Sequence, residues 1–104
     1  MSQPDASSES LLVRRDQLPL PRPYLAPRTA TEGRLADIWR TVLGMDCVGV
    51  EDGYQDLGGD SLHATTIFAR IQEEFHVTLP LASLAKAPTV AQLAVVIDQR
   101  TAGT

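Results

Sequence analysis

The stretch "LGGDSLHATTIFARI", residues 57 to 71, concentrates what the chain offers for chemistry. Two glycines and Asp60 lead into Ser61, and an apolar-periodic run follows at once. A serine so placed admits three roles: a nucleophile, a point of attachment for a bulky anionic group, or the cap of a helix. Capping, by Ser61 or by Asp60, does not call for Gly58 and Gly59, whereas close approach of a foreign backbone or active site does. A helix start also presents unsatisfied N–H groups and partial positive charge, so a phosphate ester on Ser61 would be favourably placed.

The nucleophile reading fails on its partners. A serine hydrolase needs a base within hydrogen-bond reach and a group to orient that base. Gly59-Asp60-Ser61-Leu62 spells the motif of the GDSL-type esterases, which usually supply the base in an Asp-x-x-His pair late in the chain. Here the histidines are His63 and His76. His63 is two residues past Ser61, about 160° round a helix wheel, and His76 falls at the far end of the same helix. Asp98 is followed by Gln99, Arg100 and Thr101. The chain also lacks the strand pattern and length of that fold, so the match is a coincidence of four letters.

The elements that must position Ser61 can be read from periodicity. Thr29-x-x-Glu32 has the spacing of a capping box, and Leu35, Ile38, Trp39, Val42 and Leu43 then form one helical stripe that Gly44 stops. "MDCVGVEDGYQDLGGD" reads as a long loop, with Val48, Val50 and Leu57 pinned into the core. A second helix runs from Asp60 or Ser61 to about Phe75. Leu81 to Ala85 is short enough for a single helical turn that Pro88 ends. Thr89-x-x-Gln92 is a second capping box, opening a last helix whose stripe is Val90, Leu93, Ala94 and Ile97. No segment sustains a period of two, so no sheet is expected. The fold class is all-α: a small bundle of three main helices plus a short one.

A wheel of the second helix separates two faces. Ala64, Ile67, Phe68, Ile71 and Phe75 cluster toward the core, while Leu62, Thr66, Ala69 and Glu73 point away. A large apolar residue beside Ser61 and directed outward, next to Thr66 and Ala69, marks a small patch suited to partner contact.

Bulk properties bound the rest. The chain has 104 residues, enough for one small domain, and too few for a deep substrate cavity with its own walls. The net charge of −4 and the absence of a basic stripe argue against nucleic acid as a partner. Cys47 is alone, so neither a disulfide framework nor a thiolate metal site is available, no metal is expected, and a small buried hydrophobe is the reading for it. The N-terminus has no signal-peptide pattern, and no apolar run is long enough to span a bilayer. A cytoplasmic protein that binds neither membrane nor nucleic acid is expected. Residues 1–27 run from a Ser-rich tract into "LPLPRPYLAP", which should be an extended, flexible linker with Leu18, Leu20 and Tyr24 available to dock. The folded domain is expected over 28–100, with a tail at 101–104.

Three segments, "YLAPRTATEGRLADIWRTVLG", "VGVEDGYQDLGGDSLHAT" and "FHVTLPLASLAKAPTVAQLA", resemble in order and spacing the peptidyl carrier proteins, the thiolation domains of nonribosomal peptide synthetases. The resemblance covers the chain from about Tyr24 to about Asp98. It implies a four-helix fold in which Ser61, flanked by Gly58, Gly59, Asp60 and Leu62, carries a covalent 4′-phosphopantetheine arm. A phosphopantetheinyl transferase would install the arm from coenzyme A, with magnesium bound by that enzyme. The arm's thiol would hold aminoacyl or peptidyl groups as thioesters, and the chain would have no catalytic residue of its own. An adenylation domain and condensation, epimerisation, thioesterase or tailoring enzymes are the implied partners of a monomeric carrier. Leu62, Thr65, Thr66 and Ala69 are the candidate docking residues. A carrier of acyl groups in a polyketide-type or hybrid pathway is the alternative, and an interaction module with an unmodified serine is the more distant one.

Gly58-Gly59 favours the peptidyl class over fatty-acid carriers. Two positions depart from the resembling pattern: Gln55 stands where a second aromatic is common, and Ala85 where a Phe is common. Both bear on core packing and third-helix contacts. "LVRRDQLPLP" resembles the linker by which an adenylation domain joins its carrier. "MSQPDASSES" and the short end "RTAGT" favour a free-standing carrier that keeps a remnant of that linker, over one excised from a longer synthetase.

Overall fold

The computed structural model describes residues 12–102, with side chains to 101. Four helices, α1 (Ala30–Leu43), α2 (Ser61–Phe75), α3 (Ser83–Lys86) and α4 (Val90–Ala102), follow a 3-10 turn at Arg15–Gln17. Among the described residues the β-structure is one isolated parallel bridge, between Val13 and Met45. The all-α class agrees with the sequence reading. α4 continues to Ala102, across the domain end expected at 100.

Helix ends follow from local chemistry. Thr29 Oγ1 accepts the Glu32 N–H at 3.1 Å, which satisfies one orphan donor at the start of α1. The reciprocal half of the box is shifted by one residue, because Glu32 Oε1 accepts the Arg28 N–H at 2.8 Å and its carboxylate also takes the Arg28 guanidinium. Gly44 ends α1 in the left-handed region at φ 69°, where its N–H closes onto the last carbonyls. At α4, Thr89 Oγ1 accepts the Gln92 N–H at 3.2 Å.

The predicted stripes are the core. Leu35, Ile38 and Trp39 of α1, Ala64, Ile67, Phe68 and Ile71 of α2, and Val90, Leu93, Ala94 and Ile97 of α4 are all buried. Val42, Leu43 and Phe75 pack against this core from its edge. α1 is the central element, packed against both α2 and α4. The long loop between α1 and α2 adds Val48, Val50 and Leu57 as expected, together with Met45 and Tyr54. Cys47 is half-buried, not a full core member. Burial, and then the neighbouring Asp46, push its thiol pKa up, which favours the protonated form.

Residues 12–27 lie along the domain, although the sequence reads as a flexible linker there; residues 1–11 fall outside the described part. The Val13 N–H donates to the Gly44 carbonyl at 2.8 Å, and the Asp46 N–H returns to the Val13 carbonyl at 2.9 Å. Arg15 makes a fork to Asp52, with Nε and Nη2 each 2.6 Å from a carboxylate oxygen. Asp52 is only 2% exposed, and it also accepts the Gly49 N–H. Further on, the Val50 N–H donates to the Leu25 carbonyl at 3.0 Å. Leu18, Leu20 and Leu25 pack against the core edge, while Tyr24 stays exposed beneath the Arg15 guanidinium.

Candidate functional site

Ser61 is the first residue of α2, and it is exposed. The cap is Asp60: its Oδ1 accepts the His63 N–H at 2.8 Å. The Ser61 hydroxyl makes no hydrogen bond among the described residues. First-turn N–H groups have no partner inside a helix, and Asp60 satisfies just one of them, so those of Ser61 and Leu62 remain to meet an anion. An exposed, unbonded hydroxyl beside two free N–H donors fits a phosphodiester.

The two glycines before it have reasons internal to the chain. Gly58 sits at φ 84°, a conformation that L side chains rarely adopt. At Gly59 a Cβ would overlap the ring of Tyr54. Each glycine thus has a requirement within the chain, beside the approach of a foreign group that the sequence suggests for the pair. Tyr54 is the residue that sequence reasoning passed over. Its ring is buried, meets Trp39 edge-to-face at 5.3 Å between centroids, and its hydroxyl donates to the Asp60 carbonyl at 2.7 Å. Its own N–H donates to the Pro88 carbonyl at 2.8 Å, which ties the loop to the segment before α4. Burial, and then the charge of Asp60, push the phenol pKa up, so it stays a donor. The signal for Tyr54 was present as an aromatic five residues before a glycine that cannot carry a side chain, but only their contact reveals it.

No imidazole reaches Ser61 as a base. His63 Nδ1 lies 3.1 Å from Asp60 Oδ1 in a geometry that makes no hydrogen bond. His76 caps the far end of α2 in the left-handed region, about 22 Å from Ser61 at the rise of a helix. Among the described residues no group of three or more His, Cys, Asp or Glu side chains is placed to hold a metal ion. Nor is any described helix long and apolar enough to cross a membrane.

The outward face of α2 is as the wheel predicts. Leu62 is 76% exposed, and Thr65, Thr66 and Ala69 are exposed with it. The two threonine hydroxyls donate within their own helix, Thr65 to the Ser61 carbonyl and Thr66 to the Leu62 carbonyl. Gln55 and Ala85 are not core residues: both are exposed and line one groove that opens beside Ser61.

Comparison with known proteins agrees with this geometry. Residues 33–97 match the family model described as the phosphopantetheine attachment site. Tyrocidine synthase 3 of Brevibacillus parabrevis is 42% identical over 89 residues, a match that covers 79% of this chain and 1% of that synthase. The solution structure of an active-site mutant peptidyl carrier protein superposes with a TM-score of 0.74 at 37% identity, covering 78% of this chain and 90% of that one. A peptidyl carrier protein in complex with the phosphopantetheine transferase Sfp and coenzyme A matches with a TM-score of 0.71 at 38% identity, over 73% of this chain and 99% of that one. The cofactor of such a domain is covalently attached phosphopantetheine. The chain thus belongs to the phosphopantetheine-attachment family, as a peptidyl carrier or thiolation domain of the kind that serves nonribosomal peptide synthesis.

Proposed function

We propose that Ser61 is the residue that carries the 4′-phosphopantetheine arm, and that the chain acts as a carrier with no catalysis of its own. The observation that carries this reading is the exposed, unbonded Ser61 hydroxyl at the first position of α2, with Asp60 acting as the cap in its place. A phosphopantetheinyl transferase would move the arm from coenzyme A to the Ser61 oxygen, the hydroxyl giving up its proton and adenosine 3′,5′-bisphosphate leaving, and the free N–H groups of Ser61 and Leu62 would hold the phosphodiester. When bound, the group supplies a terminal thiol that holds aminoacyl or peptidyl chains as thioesters.

The chain's own residues orient the attachment point and offer a surface. Tyr54 fixes the loop that delivers Asp60 and Ser61, and Leu62 with Thr65, Thr66 and Ala69 is the docking patch. A small patch suits partners that must bind and release in turn. The partners in this reading are the transferase, an adenylation domain, and the condensation, epimerisation, thioesterase or tailoring enzymes that take the loaded form. The reading includes a monomer in the cytoplasm, where coenzyme A and nucleotide for adenylation are found.

Intact mass of the pure chain before and after incubation with coenzyme A, magnesium and a promiscuous transferase tests this. One phosphopantetheinyl group should be gained, and the gain should be absent in Ser61→Ala. A gain that persists in Ser61→Ala would place the arm elsewhere, and no gain in a folded sample would leave Ser61 as a bare helix start.

A further inference from the structure

Residues 13–25 form a strap that meets the domain at its two ends. At the first end Val13 pairs through its N–H and carbonyl with Gly44 and Asp46, and the Arg15 N–H donates to Asp46 Oδ1 at 2.9 Å. The Arg15 guanidinium forks onto Asp52 there. At the second end the Leu25 carbonyl accepts the Val50 N–H. The loop is shaped to take both, for a Cβ at Gly49 would stand 3.0 Å from Asp52 Oδ2 and 3.2 Å from the Leu25 nitrogen. Among the described residues no hydrogen bond crosses from strap to domain between Arg15 and Leu25. The ion pair in that stretch, Arg22 with Glu51 at 3.8 Å, is exposed on both sides.

Arg15 also holds the strap to itself. Its Nη2 donates to the Arg22 carbonyl at 3.0 Å, its guanidinium lies 5.4 Å from the centre of the Tyr24 ring, and its carbonyl accepts the Leu18 N–H. One side chain thus joins the strap internally and pins it to the loop, so the segment can detach as a unit. Its adhesion is slight. No residue from 12 to 27 is fully buried, and Leu18, Leu20 and Leu25 reach only the edge of the core. Segments with few buried apolar contacts open at lower free energy than packed helices do.

We propose that the strap is a latch with two positions, closed by Arg15 on Asp52 and open with the helices still packed. Closed, it holds Val13 against Gly44 at the end of α1. Open, residues 13–25 can span up to about 45 Å, and whatever is held at or before Leu12 gains that reach relative to Ser61. The open form is a minor state, on the order of 1% of the chain. Tether length sets the local concentration of a carrier at each enzyme it meets, so a tether of two lengths favours different partners in turn. The latch is independent of the arm, whereas its use as a tether rests on the carrier reading.

The test uses the full, unmodified chain. In native-state hydrogen exchange the Asp46 and Val50 amides, which donate to the strap, should share one protection factor, at least about tenfold below those of Leu35 to Trp39 in α1. Spin labels on Leu12→Cys and Gln72→Cys, with Cys47→Ala to remove the native thiol, report the strap position by pulsed dipolar spectroscopy. The labelled chain should give one narrow distance, and Asp52→Asn should add a longer, broad component while helical circular dichroism is retained. Val13→Pro, which removes the N–H donated to Gly44, should do the same with the carboxylate intact. Strap-bonded amides protected as well as those of α1, or a distance that stays narrow in both variants, would make the strap part of the core and overturn the latch. A broad distance before either substitution would overturn it from the other side, since no closed position would exist. Loss of the helices in both variants would likewise overturn it. None of these readouts involves Ser61, so a chain that gains no arm would lose the tether's use and keep the latch.

Discussion

The Asp60 carboxylate accepts the His63 backbone N–H at 2.8 Å, and Ser61 sits between the two with its hydroxyl unused. The cap, for which the sequence offers either Asp60 or Ser61, falls to Asp60 in the structure, which leaves the Ser61 hydroxyl free for the attachment proposed above. Ser61→Ala should therefore abolish modification while leaving stability within about 0.5 kcal/mol. Asp60→Ala should cost about 1 kcal/mol, the usual loss for a removed cap. Intact mass and thermal melts on the two variants separate the roles, and a large loss of stability in Ser61→Ala would contradict the division.

Gly59 exists where it does because of the Tyr54 ring. Gly59→Ala should destabilise by about 1–3 kcal/mol through overpacking. In a Gly59→Ala/Tyr54→Ala double variant the clash has no second partner, so the combined loss should fall short of the sum of the single losses. Urea midpoints for the four species provide the cycle; simple additivity would deny the contact.

Arg15 and Asp52, 37 residues apart, clamp the segment before α1 onto the long loop. Arg15→Met strips the cation from a carboxylate that is 2% exposed. The expected cost is about 3 kcal/mol, since a buried charge left unpaired is penalised far more than an exposed one. The Val50 amide, bonded to the Leu25 carbonyl, should then exchange with solvent sooner than the amides inside α1. Unchanged stability and exchange would mean that the clamp does not persist in solution.

The Glu32 carboxyl is held below its ordinary pKa of 4.5, chiefly by the hydrogen bond from the Arg28 guanidinium and against the opposing effect of burial. A depressed carboxyl pKa contributes stability that is fully present above the ordinary value and is lost as pH falls through the folded one. The melting temperature should thus be level above about pH 5 with respect to this group and fall below it. Glu32→Gln should flatten that part of the acid limb; an identical limb in the variant would exclude Glu32 as a contributor.

Leu62 is 76% exposed at the second position of α2. Leu62→Asp adds a negative charge where the helix dipole favours one, so stability should hold or rise by a few tenths of a kcal/mol. Binding to an adenylation or condensation enzyme should nevertheless weaken severalfold, read by calorimetry or by the rate of loading. Retained binding would move the docking surface away from this residue.

The helices could be read because their causes are local. A cap spans three residues, a stripe repeats at three and four, and Gly44 or Pro88 ends a run, so each window holds its own evidence. Exposure of Leu62 and burial of Ala64, Ile67 and Ile71 followed from the same periodicity. Ser61 stood out by motif, and its setting at a helix start followed from the residues around it.

What the sequence by itself determined, then, is the set of helices, the face that each one buries, and the serine at the head of α2. Only the tertiary structure decided why Gly59 is a glycine, which residue caps the helix, that residues 12–27 lie against the domain, and that Gln55 and Ala85 meet in one groove. The last two of those relations join residues far apart in sequence, as Arg15 to Asp52 or Gln55 to Ala85. No periodicity encodes them, because they depend on which loops the packing of α1 against α2 and α4 brings together.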